Sequence, residues 1–564
     1  MLKVISHKLL WIGGLISLLF VFAIPMQSQT AICTLTFDSA VNLINGHGNA
    51  AGIGPGDTIC LKKGQKSFLL ISYLHGTKNN PIVIQNAEGL VLIKNSSNYG
   101  VKFDSCSNLK FSGAGMSTIQ YGIKVDHTVG AGVSVDGLST DIEIENIEIV
   151  NTGLAGIFAK TEPDCLFNST RDKFTLRNLS IHDTYIHKTG MEGMYIGSSK
   201  YAGQHITCNG RDTLVYPHML KGVKVYRNLV QEAGWDAIQV SSTDSGCFIN
   251  DNTILDDSQL AVYFQMSGIL VGGGTNASVF NNLIKNGKGD GIDVISMGVQ
   301  YIYNNLIINP GRSFKPDSNF SPWLKYGMYI SSEYGSLSNS YLILFNTIIS
   351  PKSYGVTFAD TKSTKNIIAD NIIVDPGSYP TEGEKAYINL GTSSTNVTLY
   401  NNLTTPDINF VQFIDPEQGK FDLKPNSPAV NKGSAVKEFN LFYDILNRIR
   451  PFAKYYDIGA YECHDSSLLH TPAYEDAADM HLTISPNPSS NHFNVSYRLF
   501  HPSDVTFSLN DNQGRIVQRK QWTGQKPGTH QFILNRETLK PGIYMLIFRT
   551  GETFISKKLI ILNN

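Results

Sequence analysis

The chain has 564 residues, 41% hydrophobic and 16% charged, with a formal net charge of -1 and 50 glycines. That length holds a large core and more than one domain, and no long stretch sustains a helical period. Charge is uneven: residues 481–564 carry ten Lys or Arg against four Asp or Glu, which leaves the body before them acidic and argues against nucleic acid or a sulfated polyanion as partner.

Lys3 and Lys8 precede an apolar run from Leu9 to Ala23, and small and polar residues follow around Gln27-Ser28-Gln29. This pattern predicts a secretory signal peptide over 1–29. Of the seven cysteines, Cys165 and Cys208 lie in loop-like inserts and are the first pair expected to bond in an exported protein. The strand cysteines read as buried free thiols. No CxxC spacing marks a zinc site.

Gly54-Pro55-Gly56-Asp57-Thr58-Ile59-Cys60-Leu61 and Gly76-Thr77-Lys78-Asn79-Asn80-Pro81-Ile82-Val83-Ile84-Gln85 read as turns followed by short strands. A repeat then sets in. Asn146, Asn178, Asn228, Asn252, Asn282, Asn305, Asn346, Asn371 and Asn402 each head a short apolar run. A second run follows a small residue at Gly156, Gly193, Ala237, Ala261, Gly291, Gly327 and Gly355. The Asn spacing of roughly 23 to 50 residues predicts stacked solenoid coils, some carrying inserted loops. Inserts at Lys200 to Leu220 and Pro310 to Leu324 are candidate groove walls. The repeat stops at Phe410. Arg450-Pro451 and Asp457-Ile458-Gly459-Ala460-Tyr461-Glu462 lie in a segment expected to cap the solenoid, with Asp457 and Glu462 structural rather than catalytic.

The two opening strands and the capping segment resemble right-handed parallel β-helix proteins of the pectate-lyase-like superfamily. Ile484-Ser485-Pro486-Asn487-Pro488, Asp511-Asn512-Gln513-Gly514-Arg515 and Leu539-Lys540-Pro541-Gly542-Ile543-Tyr544 resemble the type A C-terminal sorting domain of the type IX secretion system. The expected fold is all-β: a right-handed parallel β-helix over 30–409, its cap over 410–465, a linker over 466–480, and a small β-sandwich sorting domain over 481–564. The resemblance implies export through the outer membrane, with release or surface attachment, and type IX machinery and a polysaccharide as partners. The protein is expected to be a monomer.

Alternation along a strand turns the residue after each inward apolar one outward. This places Tyr195, Gln239, Tyr263, Asp293 and Tyr329 in one exposed ladder, suited to sugar faces and hydroxyls. Lys160, Ser241, Gln265 and Ser331 face the same way two residues on. The residue before the small one forms a second row holding Glu192, Asp236 and Asp290. Glu192 and Asp236 are then one coil apart, ~5 Å, and Asp236 and Asp290 two coils, ~10 Å. Either glycosidase scheme can be built from such carboxylates. Their competing role is to cap tight turns. The lyases of the resemblance use a basic residue, for which His182, His187, Lys188, Lys160 and Arg227 are candidates. The acidic stripe could hold Ca²⁺ through oxygens, and no other metal or cofactor is expected. The reading is a secreted polysaccharide hydrolase or lyase, or else a non-catalytic glycan-binding or adhesive solenoid.

Overall fold

The computed structural model describes residues 32–315, 325–332, 338–377, 386–434, 439, 441–470, 482–499, 502–511, 516–536, 539–550 and 553–562. The signal peptide expected over 1–29 lies outside them, as do most of the linker and the 316–324 part of the second insert.

Each coil contributes three short parallel strands, and like strands stack into three faces. Thr140–Glu145, Ser180–His182, Lys224–Tyr226 and Cys247–Asn250 belong to the first face. Ile147–Thr152, Tyr185–Thr189, Leu229–Ala233 and Thr253–Leu255 belong to the second. Ile157–Ala159, Met194–Ile196, Ile238–Val240 and Ser267–Val271 belong to the third, a sheet of twelve described strands. Inward side chains such as Ile181, Ile186, Met194, Val230 and Ile238 are buried in one continuous core. The hydrophobic effect acts along the whole solenoid, because no coil can cover its own apolar edge.

Two corners show why the repeat has its sequence. Between the first and second faces, one residue takes a left-handed conformation, as at Arg227, Asp251, Asn281 and Asn304. The next residue is the ladder asparagine. The Nδ2 groups of Asn228, Asn252, Asn282, Asn305, Asn346 and Asn371 each donate to the Oδ1 of the next ladder asparagine at 2.9–3.0 Å, ending at Asn402. Each also donates to a backbone carbonyl one coil back, as Asn282 does to Ile249. Buried amides are thus satisfied by one another and by backbone. Before the third face the chain needs a small residue. A Cβ at Gly291 would fall 2.5 Å from both the Gly327 carbonyl oxygen and Ile307 Cγ2.

Three register expectations change. Asn146 occupies the left-handed position itself and Asn178 lies one strand early; Thr184 stands at the ladder position, donating to Asn228 Oδ1 at 2.8 Å. In the coil after Ile238, the third-face strand is Ser267–Val271, with Ile238 opposite Ile269. Ala261 and Val262 instead belong to a loop that folds back over the preceding coil, with Ser258, Gln259 and Leu260 bonding the carbonyls of Trp235, Ala233 and Gly234.

The segment after Phe410 lies along a lateral face. Val411, Phe413, Phe421, Ala429 and Ile458 pack on the outward side chains Leu306, Ile308, Ile349, Ile372 and Val374 of the second face. Arg450 is fully buried and donates to Glu462, Asn304, and the Gly459 and Tyr461 carbonyls. Asp457 accepts from the Asn431 and Cys463 amides. Both acids are structural, as expected. Cys165 and Cys208 are bonded, tying the 204–215 hairpin to the loop before it. Cys33 and Cys60 also pair, whereas Cys60 reads from sequence as a free strand thiol. Cys106, Cys247 and Cys463 are free and buried.

Residues 482–562 form two antiparallel sheets. One contains Thr483–Ser485, His492–Leu499 and Gly528–Asn535; the other contains Ser503–Asn510, Ile516–Gln525, Gly542–Thr550 and Thr553–Ile561. Phe493, Val495, Tyr497, Phe507, Leu546 and Phe548 fill the space between them.

Candidate functional site: an acidic row on the third face

The third face carries two rows, one on its strands and one at the corner before them; Gln239 and Leu270 of the first and Glu192, Asp236, Ser267 and Asp290 of the second are buried, so the ladder is not exposed along its length as the alternation predicts. Strand pairing aligns Phe158, Tyr195, Gln239, Leu270, Asp293, Tyr329 and Thr357 coil by coil. Leu270 stands where the sequence pattern put Tyr263. Tyr263 is on the folded-back loop, 55% exposed, with its ring 3.8 Å from that of Phe264. The pattern failed there because Ala261-Val262-Tyr263 alternates small, apolar and aromatic just as Gly268-Ile269-Leu270 alternates small and apolar. Only the chain's hydrogen bonds discriminate them. The corner row reads Glu192, Asp236, Ser267, Asp290 and Tyr326, linked through backbone bonds to the following coil or strand pairing. Asp236 and Asp290 are therefore two coils apart as expected, with Ser267 between them.

Five carboxyl groups converge here: Glu192, Asp236, Asp290 and Asp293 from the coils, and Asp257 from the folded-back loop. Asp236 is fully enclosed, and Ser267 Oγ donates to its Oδ1 at 2.7 Å. Gln265, with its amide nitrogen turned toward them, lies 3.2 Å from both Glu192 Oε1 and Asp236 Oδ2. Asp290 accepts from the Tyr326 amide at 2.6 Å and from Lys325 Nζ at 3.2 Å. Burial pushes the Glu192 carboxyl up to about 7. Burial pushes Asp236 to about 8, with Glu192 and Asp257 adding to it. Burial likewise raises Asp257 to about 6. Asp293 is raised well above the ordinary carboxylate range by burial and then by Asp290, against the pull of Lys325. Burial outweighs Lys325 in raising Asp290 as well.

Several buried atoms in this row have no partner: Glu192 Oε2, Asp257 Oδ2, Asp293 Oδ1, Gln239 Oε1 and Ser241 Oγ. Aromatic pairs flank the row. On one side Phe158 meets Tyr195 edge-on at 5.4 Å, with Lys160 Nζ 4.3 Å from the Tyr195 ring. On the other, Tyr326 stacks on Tyr329 at 5.5 Å and on Tyr354 at 5.7 Å. Asp257, Ser267 and Lys325 were not legible as site residues, because each sits at a loop or loop end without periodicity.

The basic candidates lie elsewhere or are committed. His187 is on the second face, 3.1 Å from Glu148, and Lys188 beside it points 4.0 Å from Glu232. His182 is on the first face, stacked on Tyr226 and bonded to Asp183, to which Arg227 also donates. Lys160 pairs with Glu162. Among the described residues, Glu143, Glu145 and His182 bring three side-chain atoms of the metal-ligating kind within 4.8 Å of one another. Lys110 Nζ already neutralises that group, at 2.7 Å from Glu143 and 2.8 Å from Glu145.

Residues 131–307 and 221–404 match the family model described as a right handed beta helix region. Residues 483–562 match the secretion system C-terminal sorting domain. The fold is a right-handed parallel β-helix followed by a small antiparallel β-sandwich. The chain carries the sorting domain of type IX secretion, which marks it for export, released or held at the cell surface. Comparison with curated proteins returns no match. Among solved structures, a periplasmic alginate epimerase, AlgG, is 14% identical, with 65% of this chain and 85% of that one covered and a TM-score of 0.34. The catalytic unit of a GH87 alpha-1,3-glucanase from Streptomyces thermodiastaticus is 14% identical, covering 64% and 66%, at 0.33. A XylC complex with xylose is 11% identical, covering 88% and 100%, at 0.35. Scores of this size are likenesses in outline, and no chemistry of this chain follows from them.

Proposed function

We propose that this exported β-helix hydrolyses glycosidic bonds of a polysaccharide laid along the third face, with Asp293 as proton donor. The carrying observation is Asp293 itself. It is half-buried, its Oδ1 has no partner, and its carboxyl is held well above the usual range between two aromatic platforms. A carboxyl that keeps its proton near neutral pH can deliver it to a leaving oxygen. Asp290, on which Lys325 and the Tyr326 amide act against the burial that raises it, is the partner that activates water or attacks the sugar carbon. Asp236 and Glu192, enclosed behind Gln265, raise the proton affinity of the row rather than touch substrate. Tyr195 and Tyr329, the partly exposed rings of the ladder, contact the sugar rings, and the buried Gln239 lies beneath them. Hydrolysis stands ahead of elimination, because His187, Lys160 and Lys325 each already face a carboxylate.

The test is incubation with a polysaccharide panel. New reducing ends without the ultraviolet absorbance of unsaturated sugars support hydrolysis; unsaturated ends would replace it with a lyase. The complete enclosure of Asp236 favours one other reading, a glycan-binding or adhesive solenoid whose acids only shape the face. Retained glycan binding with no cleavage of any substrate would select it.

A further inference from the structure

The aromatic ladder of the third face has a gap. Phe158 and Tyr195 stand at one end and Tyr329 at the other, but the three coils between them place Gln239, Leu270 and Asp293 there. Neighbouring coils are ~4.8 Å apart, so Tyr195 and Tyr329 stand about 19 Å apart along the face. The loop of the middle coil lies beside this gap. It leaves the second-face strand Thr253–Leu255 and returns at Ser267 of the corner row. Its tip is a turn closed by the Gln265 amide on the Val262 carbonyl at 3.0 Å, which makes Tyr263 and Phe264 the two central residues. Phe264 has φ 63°, the left-handed conformation that the second central position of such a turn usually gives to Gly or Asn. A bulky residue is disfavoured there. Its ring is also turned to water: Phe264 is 76% exposed and Tyr263 55%, more than any other Phe, Tyr or Trp among the described residues. The loop that carries them is fixed at several points. Ser258, Gln259 and Leu260 bond carbonyls of the preceding coil, Lys288 Nζ donates to the Gln259 carbonyl at 2.7 Å, and the Gln265 side chain lies 3.2 Å from both Glu192 and Asp236. Phe264, three residues before Ser267, is within about 11 Å of the corner row by chain reach.

We propose that Tyr263 and Phe264 are a glycan-gripping pair that fills the gap in the ladder, packing on the C–H face of a sugar unit held between Tyr195 and Tyr329. This rests on the hydrolase reading only for the place of the glycan; the grip is read by binding, so the two can fail separately. Aromatic rings exposed at a fixed turn offer apolar area with little conformational freedom left to lose, and sugar rings present apolar faces to match. Continuity with the ladder favours a glycan over a protein partner, because the loop belongs to the middle coil of the gap rather than to a separate surface.

Migration of the mature protein through gels containing each polysaccharide of the panel reads affinity without requiring turnover. At least one polymer should retard the wild type, and Phe264→Ala should weaken that binding about tenfold, with the Tyr263→Ala/Phe264→Ala double variant weaker still. Phe264→Tyr keeps the ring and should bind as the wild type does. Phe410→Ala removes a similarly exposed ring from the cover and should change nothing. Because the Phe264 ring is exposed, Phe264→Ala should also leave the denaturant midpoint where it is. Undiminished binding by the double variant would overturn the proposal and leave the pair to a protein partner. Retardation of the wild type by none of the polymers would overturn it too, as would an equal loss in Phe410→Ala or a midpoint that falls as it does for a buried ring. Weakened binding by the variants of a protein that cleaves nothing would support it while removing the hydrolase reading.

Discussion

Asp293 follows the inward isoleucine of its coil and Asp236 precedes the small residue of its own, and their surroundings separate them further. Asp293 keeps part of its surface exposed, and Asp236 has none. Asp293→Asn removes the transferable proton, so turnover should fall by roughly 10²–10⁴ while polymer binding in gel retardation persists. Unchanged turnover would remove Asp293 from the chemistry. For Asp236 the consequence is in stability. Its folded-state pKa of about 8 lies above its unfolded value, so the folded state holds a proton that the unfolded chain has released. Stability is then fullest below the unfolded pKa and falls as pH rises toward about 8. Asp236→Asn should flatten that fall by up to about 1.4 kcal/mol per pH unit, measured as denaturant midpoints across the range. A slope identical to that of the wild type would mean that Asp236 is ionised in the fold.

The strand and its corners account for why most of the repeat can be read from sequence. The ladder asparagine and the small residue answer local demands: an amide must satisfy both the coil before and the coil after, and a Cβ has no room. Asn282 donates to Asn305 Oδ1 and the Ile249 carbonyl, and accepts from the Asn252 amide and side chain. Asn282→Ala should cost about 3 kcal/mol in a denaturant unfolding experiment, since it also strands the groups on Asn252 and Asn305. A cost near that of an exposed substitution would show that the ladder carries little. The same local logic explains the misses. Asn146 and Asn178 meet the demands of a turn equally well, and a single asparagine does not announce which corner it occupies. Tyr263 copied the strand alternation from within a loop.

Across the molecule, the acidic β-helix carries a lateral cover and a basic sorting domain. The cover hides a face that would otherwise present Leu306, Ile308, Ile349 and Ile372 to water. Its anchor is the Arg450–Glu462 pair, both groups at most 1% exposed. Arg450→Met leaves Glu462 buried and unpaired, so the β-helix should lose about 3–5 kcal/mol and bind a hydrophobic dye below its unfolding transition. Unfolding that matches the wild type in both respects would show that the cover is held by apolar packing alone.

The all-β class, the solenoid and the sorting domain that marks the chain for export follow from patterns that act over a few residues: alternation, punctuating Gly and Asn, and the motifs of the tail. The Cys165–Cys208 bond and the structural role of Asp457 and Glu462 were legible for the same reason, from where they sit relative to the repeat. Which carboxyls meet was decided only by stacking. Asp257 and Lys325 reach the row from loops, His187 and Lys188 turn to a different face, and Leu270 replaces Tyr263 in the ladder. Those outcomes depend on the registry of coils separated by 21 to 45 residues or more and on how inserted loops fold back. No local pattern encodes them, because the same short alternation satisfies a strand and a loop until the neighbouring coil supplies its hydrogen bonds.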